Sequence, residues 1–336
     1  MKHARLALRF AVVTLAIALY LEPGPAGDFG RKWMALVSAS AGMETVAVIE
    51  TEKPASALDI ALTLRATLRY EPKGFVFLDP ITNLEGLPLL LSKLGDARQP
   101  VTFTTNAGLQ PLTGVRIGAA TPSISGDGGF TPPDRTSGCE PSGVVARSGN
   151  HAVASSPLAL LLALNHLAPA SAHGAVPGTV RAGPVIAPVN AAGHATINPL
   201  AAKFIERITL DRLMVRAERS EHGEITVDLD NLFHGRLIAV QTANGNGATL
   251  LAALQNGLIE APAPAWVTYV AVLLAASLPW WRAGRFPRCL VALLATGWWL
   301  LIALDAYQEA RIVVPILPAL LLPFLALIPR SSHETE

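Results

Sequence analysis

The chain has 336 residues, 51% of them hydrophobic and 15% charged, with a net charge of +1 and a mean hydropathy of +0.40. Soluble domains carry roughly 25% charged residues, so this balance points to lipid. Near-neutrality gives no sign of a nucleic-acid partner, which normally needs a basic face, and none is expected.

The apolar excess sits at the two ends of the chain, and the long middle, rich in Ala, Gly and Pro, is large enough to bury one core. At the N-terminus Lys2, Arg5 and Arg9 precede an apolar run over residues 10–21. Residues 1–22 therefore read as a transmembrane anchor or a signal-like segment, and either one exports the middle domain.

From residue 45 a strand, helix, strand pattern begins. Residues 45–49 form a β-branched strand ending at Glu50, and Pro54 opens a helix over 55–70. A second strand over 74–78 ends at Asp79, a helix covers 87–94, and a third strand covers 101–105. Such alternation implies parallel βαβ units. Residues 108–150 are crowded with Gly, Pro, Ser and Thr around a short strand at Val144 and Val145. A helix is expected over 158–167, and residues 168–195 read as a loose stretch broken by Pro and Gly. Residues 203–214 read as helical, 225–227 as a short strand, and Asp228 and Asp230 as part of a turn. The last strand covers 236–242, and a helix over 248–256 ends at Gly257. A Pro-rich hinge over 261–264 leads into the C-terminal block.

That block holds three apolar segments, at 266–281, 290–304 and 312–328, with Trp266, Tyr269, Trp280 and Trp281 suited to the membrane interface. Pro315, Pro318 and Pro323 make the last of them a kinked helix whose neighbours satisfy the freed carbonyls. Arg282, Arg285 and Arg288 form a basic loop after the first segment, whereas the next loop carries Asp305, Glu309 and Arg311. By the positive-inside rule the arginine loop and both termini are cytoplasmic and the middle domain is extracytoplasmic. The expected organisation is an anchor at 1–22, an exported α/β domain at 31–263, a three-helix membrane block at 265–330 and a short tail at 331–336. The exported part is expected to hold a mixed or mostly parallel sheet flanked by helices. Of the two cysteines, Cys139 then lies outside and Cys289 at the inner side, so they cannot pair, and no C-x-x-C spacing suggests a metal.

This order of pieces resembles the CHASE family of bacterial sensor domains, second type, which are sensory extracellular domains associated with cyclases and histidine kinases. Four stretches carry the likeness. Residues 46–52 stand where the family's first strand ends in acids, and Lys73-Gly74-Phe75-Val76-Phe77-Leu78-Asp79 is similar to its second strand. Ser142-Gly143-Val144-Val145-Ala146-Arg147 followed by Ser156-Pro157-Leu158-Ala159-Leu160 is similar to its Asp-Gly-Val-Val-Arg and Pro-Ser-Leu-Ala run. Phe233-His234-Gly235-Arg236-Leu237-Ile238-Ala239-Val240 is similar to its Lys-Gly-Lys-Ile-Val-Leu-Ile-Gly strand. The chain departs from the family in three places: the aromatic Trp-Pro-Trp-Pro-Arg segment is absent, Ser142 replaces Asp, and Val240 runs into Gln241 and Thr242. The resemblance implies a multi-pass protein of the bacterial inner membrane that senses a small ligand outside. Only residues 331–336 come after the last apolar segment, so a separate signalling effector is the expected partner.

Glu50, Glu52 and Asp79 fall at the carboxyl ends of neighbouring strands, where open α/β sheets bind ligands. They are the candidate ligand-binding residues, with helix capping or loop solvation as the plain alternative. Asn244-Gly245-Asn246-Gly247 joins a strand to a helix, so its backbone N–H groups can hold an anion or simply make a tight turn. No Lys-Ser or Lys-Thr comes after it as in a P-loop. His151, His166, His173 and His194 show no ligating spacing. No nucleophile motif is present, and neither a catalytic residue, a metal nor a cofactor is expected. Beyond the lipid bilayer, the expected partners are the small ligand, an effector and possible second copies of the chain. The alternative is a structural or assembly factor that uses the exported domain to hold other envelope proteins.

Overall fold

The computed structural model describes residues 25–38, 43–105, 136–139, 143–148, 151–167, 173–174, 178–190, 192–221, 227–277, 285–316 and 319–320. The expected segment at 1–22 and most of the 108–150 stretch lie outside these residues. The chain divides into two compact units, residues 41–259 and residues 1–40 with 260–336.

In chain order the elements run α1 (Pro25–Ser38), β1 (Val46–Thr51), α2 (Ala57–Thr67), β2 (Gly74–Phe77), α3 (Leu87–Asp96), β3 (Val101–Thr105) and β4 (Thr136–Cys139). A hairpin of β5 (Val145–Ser148) and β6 (His151–Ala154) leads into α4 (Ser156–Leu164), then β7 (His173–Gly174), β8 (Gly178–Ala182), β9 (Val185–Val189) and β10 (Thr196–Ile197). Then come β11 (Ile205–Thr209), α5 (Leu210–Glu221), α6 (Val227–Phe233), β12 (Leu237–Thr242), α7 (Gly247–Gln255) and β13 (Ile259–Pro262). The chain continues through α8 (Ala265–Ser277), α9 (Arg285–Ala310) and β14 (Ile312–Val313).

The larger unit is an α/β domain around a six-stranded sheet in the order β11-β1-β12-β2-β3-β4, with every described pairing parallel. One row of the register runs Arg207, Val48, Ala239, Val76, Thr102 and Thr136. The β1 run is apolar at successive positions because both faces of a parallel sheet are covered. Ala47 and Ile49 face one core with Phe75, Phe77, Phe103, Ile238 and Val240, packed beneath Ile60, Leu64, Leu90, Leu213 and Phe233. Helices α4 and α7 pack on the sheet together with each other, and their Leu158, Leu160, Leu251 and Leu254 are buried. Phe77 and Phe103 stack across neighbouring strands at 5.2 Å between ring centroids.

The start of α2 is fixed by Ser56. Its hydroxyl accepts from the Asp59 amide at 3.1 Å while the Asp59 carboxylate accepts from the Ser56 amide at 2.9 Å, a reciprocal capping box. The helix therefore begins two residues later than Pro54 suggests. Gly86, at φ +83°, caps α3 on its N-terminal side.

Four stretches differ from the sequence reading. Residues 205–209 form an edge strand, β11, where a helix over 203–214 was expected. Ile205 and Ile208 are spaced like one helical face, and a strand paired on one side only does not need the alternation of a half-buried one. The loose 168–195 stretch holds an antiparallel ribbon, β7-β8-β9. Its Gly183 (φ +59°) makes the two-residue hairpin turn with Pro184, so the supposed breaker residues are turn residues. Asp228 and Asp230 sit in α6 and not in a turn, and residues 225–226 of the expected strand lie outside the described residues. The 261–264 hinge is partly strand, with Ala261 and Pro262 paired in parallel to Ile312 and Val313.

In the other unit, α9 contains one stretch, Phe286–Ala310, long and apolar enough to cross a membrane, with mean hydropathy 1.9. Phe286, Leu290, Leu293, Leu294, Trp298 and Leu301 leave it apolar and exposed on its outer surface. It is the sole helix of this kind among the described residues, where four were expected. The described part of α8 spans 13 residues, and the expected 312–328 helix begins as strand β14. Pro315 disfavours helix at the residue before it, which explains the extended start. The helix α9 begins at Arg285 and runs to Ala310, so Arg285 and Arg288 lie in its first turn and Asp305 and Glu309 in its last turns, not in loops. Arg282 lies outside the described residues. The Thr296 hydroxyl donates to the Ala319 carbonyl at 2.8 Å. Likewise the Trp299 indole donates to the Pro315 carbonyl at 2.7 Å. Buried Glu260 is paired with Arg31 at 3.5 Å.

Candidate functional site

The four residues singled out all lie at the carboxyl edge of the sheet, where β1, β12 and β2 end side by side, but in different settings. Asp79 lies just past β2, and its carboxylate accepts from the Thr242 backbone amide at 2.6 Å at the end of neighbouring β12. The Thr242 hydroxyl lies at 3.5 Å from the other carboxylate oxygen. Burial pushes the Asp79 carboxyl above its ordinary value, and the two Thr242 hydrogen bonds pull against that rise. Asp79 thus ties two strand ends together.

Glu52 is exposed beyond the end of β1, and Asn244 is exposed in the turn after β12. The turn itself is organised by Gln241, 1% exposed. Its Nε2 donates to the Gly245 carbonyl at 2.8 Å and its Oε1 accepts from the Ala248 amide at 3.0 Å. The first turn of α7 therefore already has an internal acceptor, and the geometry is that of a tight turn closed by a side chain rather than an anion cradle.

Glu50 has a different setting. Its carboxylate is paired with Arg207 of β11, and it lines an open groove of about 590 Å³ formed by β11, α5, α6 and the approach to β12. Four arginines border this groove, namely Arg207, Arg212, Arg216 and Arg236. Three carboxylates face them, from Glu50, Glu206 and Asp228. Arg236 is paired with Glu206 at 2.7 Å, so two of the arginines are matched by two of the acids. The volume falls within the roughly 300–1,000 Å³ of small-molecule sites.

The groove exists because β11 is an edge strand and α5 continues from it without a loop. Leu213 and Ala217 of α5 are buried against the sheet, while Arg212 and Arg216, each one position earlier, are exposed along the side of the same contact. At i,i+4 spacing the two arginines share one side of the helix. Sequence reading reached Glu50 but missed the arginines. The Arg212–Arg216 spacing was visible, but its setting depends on residues 205–209 being a strand.

Among the described residues no group of three or more His, Cys, Asp or Glu is placed to hold a metal. His166 comes just after α4 and His194 just after β9, and the side chains of His151 and His173 lie outside the described part of the structure. Comparison with protein-family models, with curated proteins and with solved structures finds no match to this chain.

Proposed function

We propose that this chain is an extracytoplasmic ligand-binding membrane protein that works as the sensing part of a signalling system, in the manner of CHASE type-two receptors. In this reading residues 1–22 anchor the chain, the α/β unit lies outside, and the apolar segments within 265–330 cross the membrane three times. A separate effector receives the signal at the Arg282–Arg288 end of the membrane block. The observation that carries the reading is an α/β unit with an open, charged groove on the same chain as a helix whose exposed surface is apolar over a membrane's width.

The test is topology and then partners. With Cys139 and Cys289 both replaced by Ser, cysteines are introduced at Glu218 and, separately, in the tail at Ser332, and intact cells are treated with a membrane-impermeant maleimide. Labelling at 218 and none at 332 before lysis is expected. The reverse pattern refutes an exported domain. In-cell crosslinking of a tagged chain is then expected to capture a cytoplasmic kinase, cyclase or comparable effector. Recovery of envelope proteins alone replaces the sensing role with the assembly role.

A further inference from the structure

Resting on the ligand-binding reading above, we infer that the β11–α5–α6 groove is the site for a small molecule carrying two or more anionic oxygens, held by Arg212 and Arg216. The charge count carries this. Arg207 and Arg236 have Glu50 and Glu206 as partners, whereas among the described residues no ion pair engages Arg212 or Arg216. Two like charges at i,i+4 repel one another, so leaving both along the wall of a groove is unfavourable until an anion sits between them.

Asp228 stands in the same groove, and it works against simple accumulation of chloride or a single carboxylate. A ligand must bring more than one negative charge to outbid it. Guanidinium groups match the planar fork of a carboxylate and the oxygens of a phosphate alike. Both chemistries suit the pair, and the titration separates them. The Asn231 amide and Thr209 hydroxyl, also on the lining, supply neutral hydrogen-bonding groups beside the charges.

The full chain in detergent at low ionic strength is titrated calorimetrically with succinate, citrate and inorganic pyrophosphate. Saturable one-to-one binding of at least one probe is expected, by the dicarboxylate or tricarboxylate if the natural ligand is an organic acid and by pyrophosphate if it is a phosphate. Arg212→Gln and Arg216→Gln are each expected to weaken it about tenfold or more, the loss of one charge-assisted contact. Arg→Lys at either position weakens it less, because charge remains while the fork is lost. Glu50→Gln releases Arg207 and tightens binding several-fold, and added salt weakens it throughout. Both arginines are exposed, so circular dichroism spectra of the variants are expected to match that of the wild type. No heat from any probe, or equal binding by the Arg212→Gln/Arg216→Gln double variant, overturns the site. Absence of binding alongside outward labelling at 218 and a captured effector sinks this inference alone. Binding alongside inward labelling sinks the sensor reading alone.

Discussion

Replacing Gln241 with Met keeps the length of the side chain and removes both of its polar ends. In the native domain its amide sits 1% exposed between the Gly245 carbonyl at 2.8 Å and the Ala248 amide at 3.0 Å. Ala248 is fully buried, so its N–H has no water to turn to, and stranding a buried donor costs about 1–3 kcal/mol. The Gly245 carbonyl is only partly covered and regains water, so it adds roughly 0.5–1 kcal/mol as a lost ordinary bond. The total is about 1.5–4 kcal/mol, a large share of the roughly 5–15 kcal/mol that holds a domain folded. The assay is urea unfolding of the full chain in detergent monitored by far-UV circular dichroism, with hydrogen exchange read at the Ala248 amide. A lower midpoint at unchanged slope and faster exchange at Ala248 are expected. If the variant unfolds within about 0.5 kcal/mol of wild type, the Gln241 contacts are not what organises this turn.

Three other outcomes are expected from contacts of the same kind. Gly86→Ala places a Cβ 2.7 Å from the Leu58 Cβ at a backbone φ of +83°, so strain and overpacking together cost about 2–4 kcal/mol in the same unfolding assay. Asp79→Asn tests the buried carboxylate. Its folded pKa is raised, so its favourable contribution is full below the unfolded value near 3.8 and is lost as pH rises through the folded value. The Asn variant should therefore gain on wild type as pH climbs through that window, measured by urea midpoints across a pH series, and a gap that moves the other way refutes the assignment. Thr296→Val removes the donor to the Ala319 carbonyl. Roughly 0.6 kcal/mol of packing between α9 and the residues after β14 should be lost, as read by SDS-induced unfolding in bicelles.

The parallel character of the sheet was legible because strands buried on both faces announce themselves. Residues 45–49, 74–78, 101–105 and 236–242 each read as apolar or β-branched runs, and the structure sets the strands they fall in side by side. Edge positions were not legible. β11 carries Glu206 and Arg207 because an edge tolerates charge and is protected by it, and those same charges erase the strand pattern. The β8–β9 ribbon hid behind Gly183 and Pro184, which punctuate a hairpin and a disordered stretch alike. Of the candidate site residues, Glu50 alone reaches the groove. Asp79 was found by position but serves a neighbouring strand end, a role set by the Thr242 amide that only the sheet order brings near. Arg212 and Arg216 needed two facts absent from any local window, the strand that precedes them and the absence of described carboxylate partners.

The sheet order also fixes when this domain can become whole. β12 lies at the middle of the sheet, between β1 and β2, yet it is the last of the six strands to be synthesised. Until residue 242 has emerged, β1 and β2 face each other across a gap one strand wide, each with a bare row of backbone donors and acceptors. The emerging chain thus has no complete sheet to lock into early, and a truncation before β12 leaves two sticky edges at its centre rather than one at its rim. Contacts this distant in sequence form slowly. The centre of the sheet therefore cannot be completed until the 237–242 segment is available, however early the flanking strands are made.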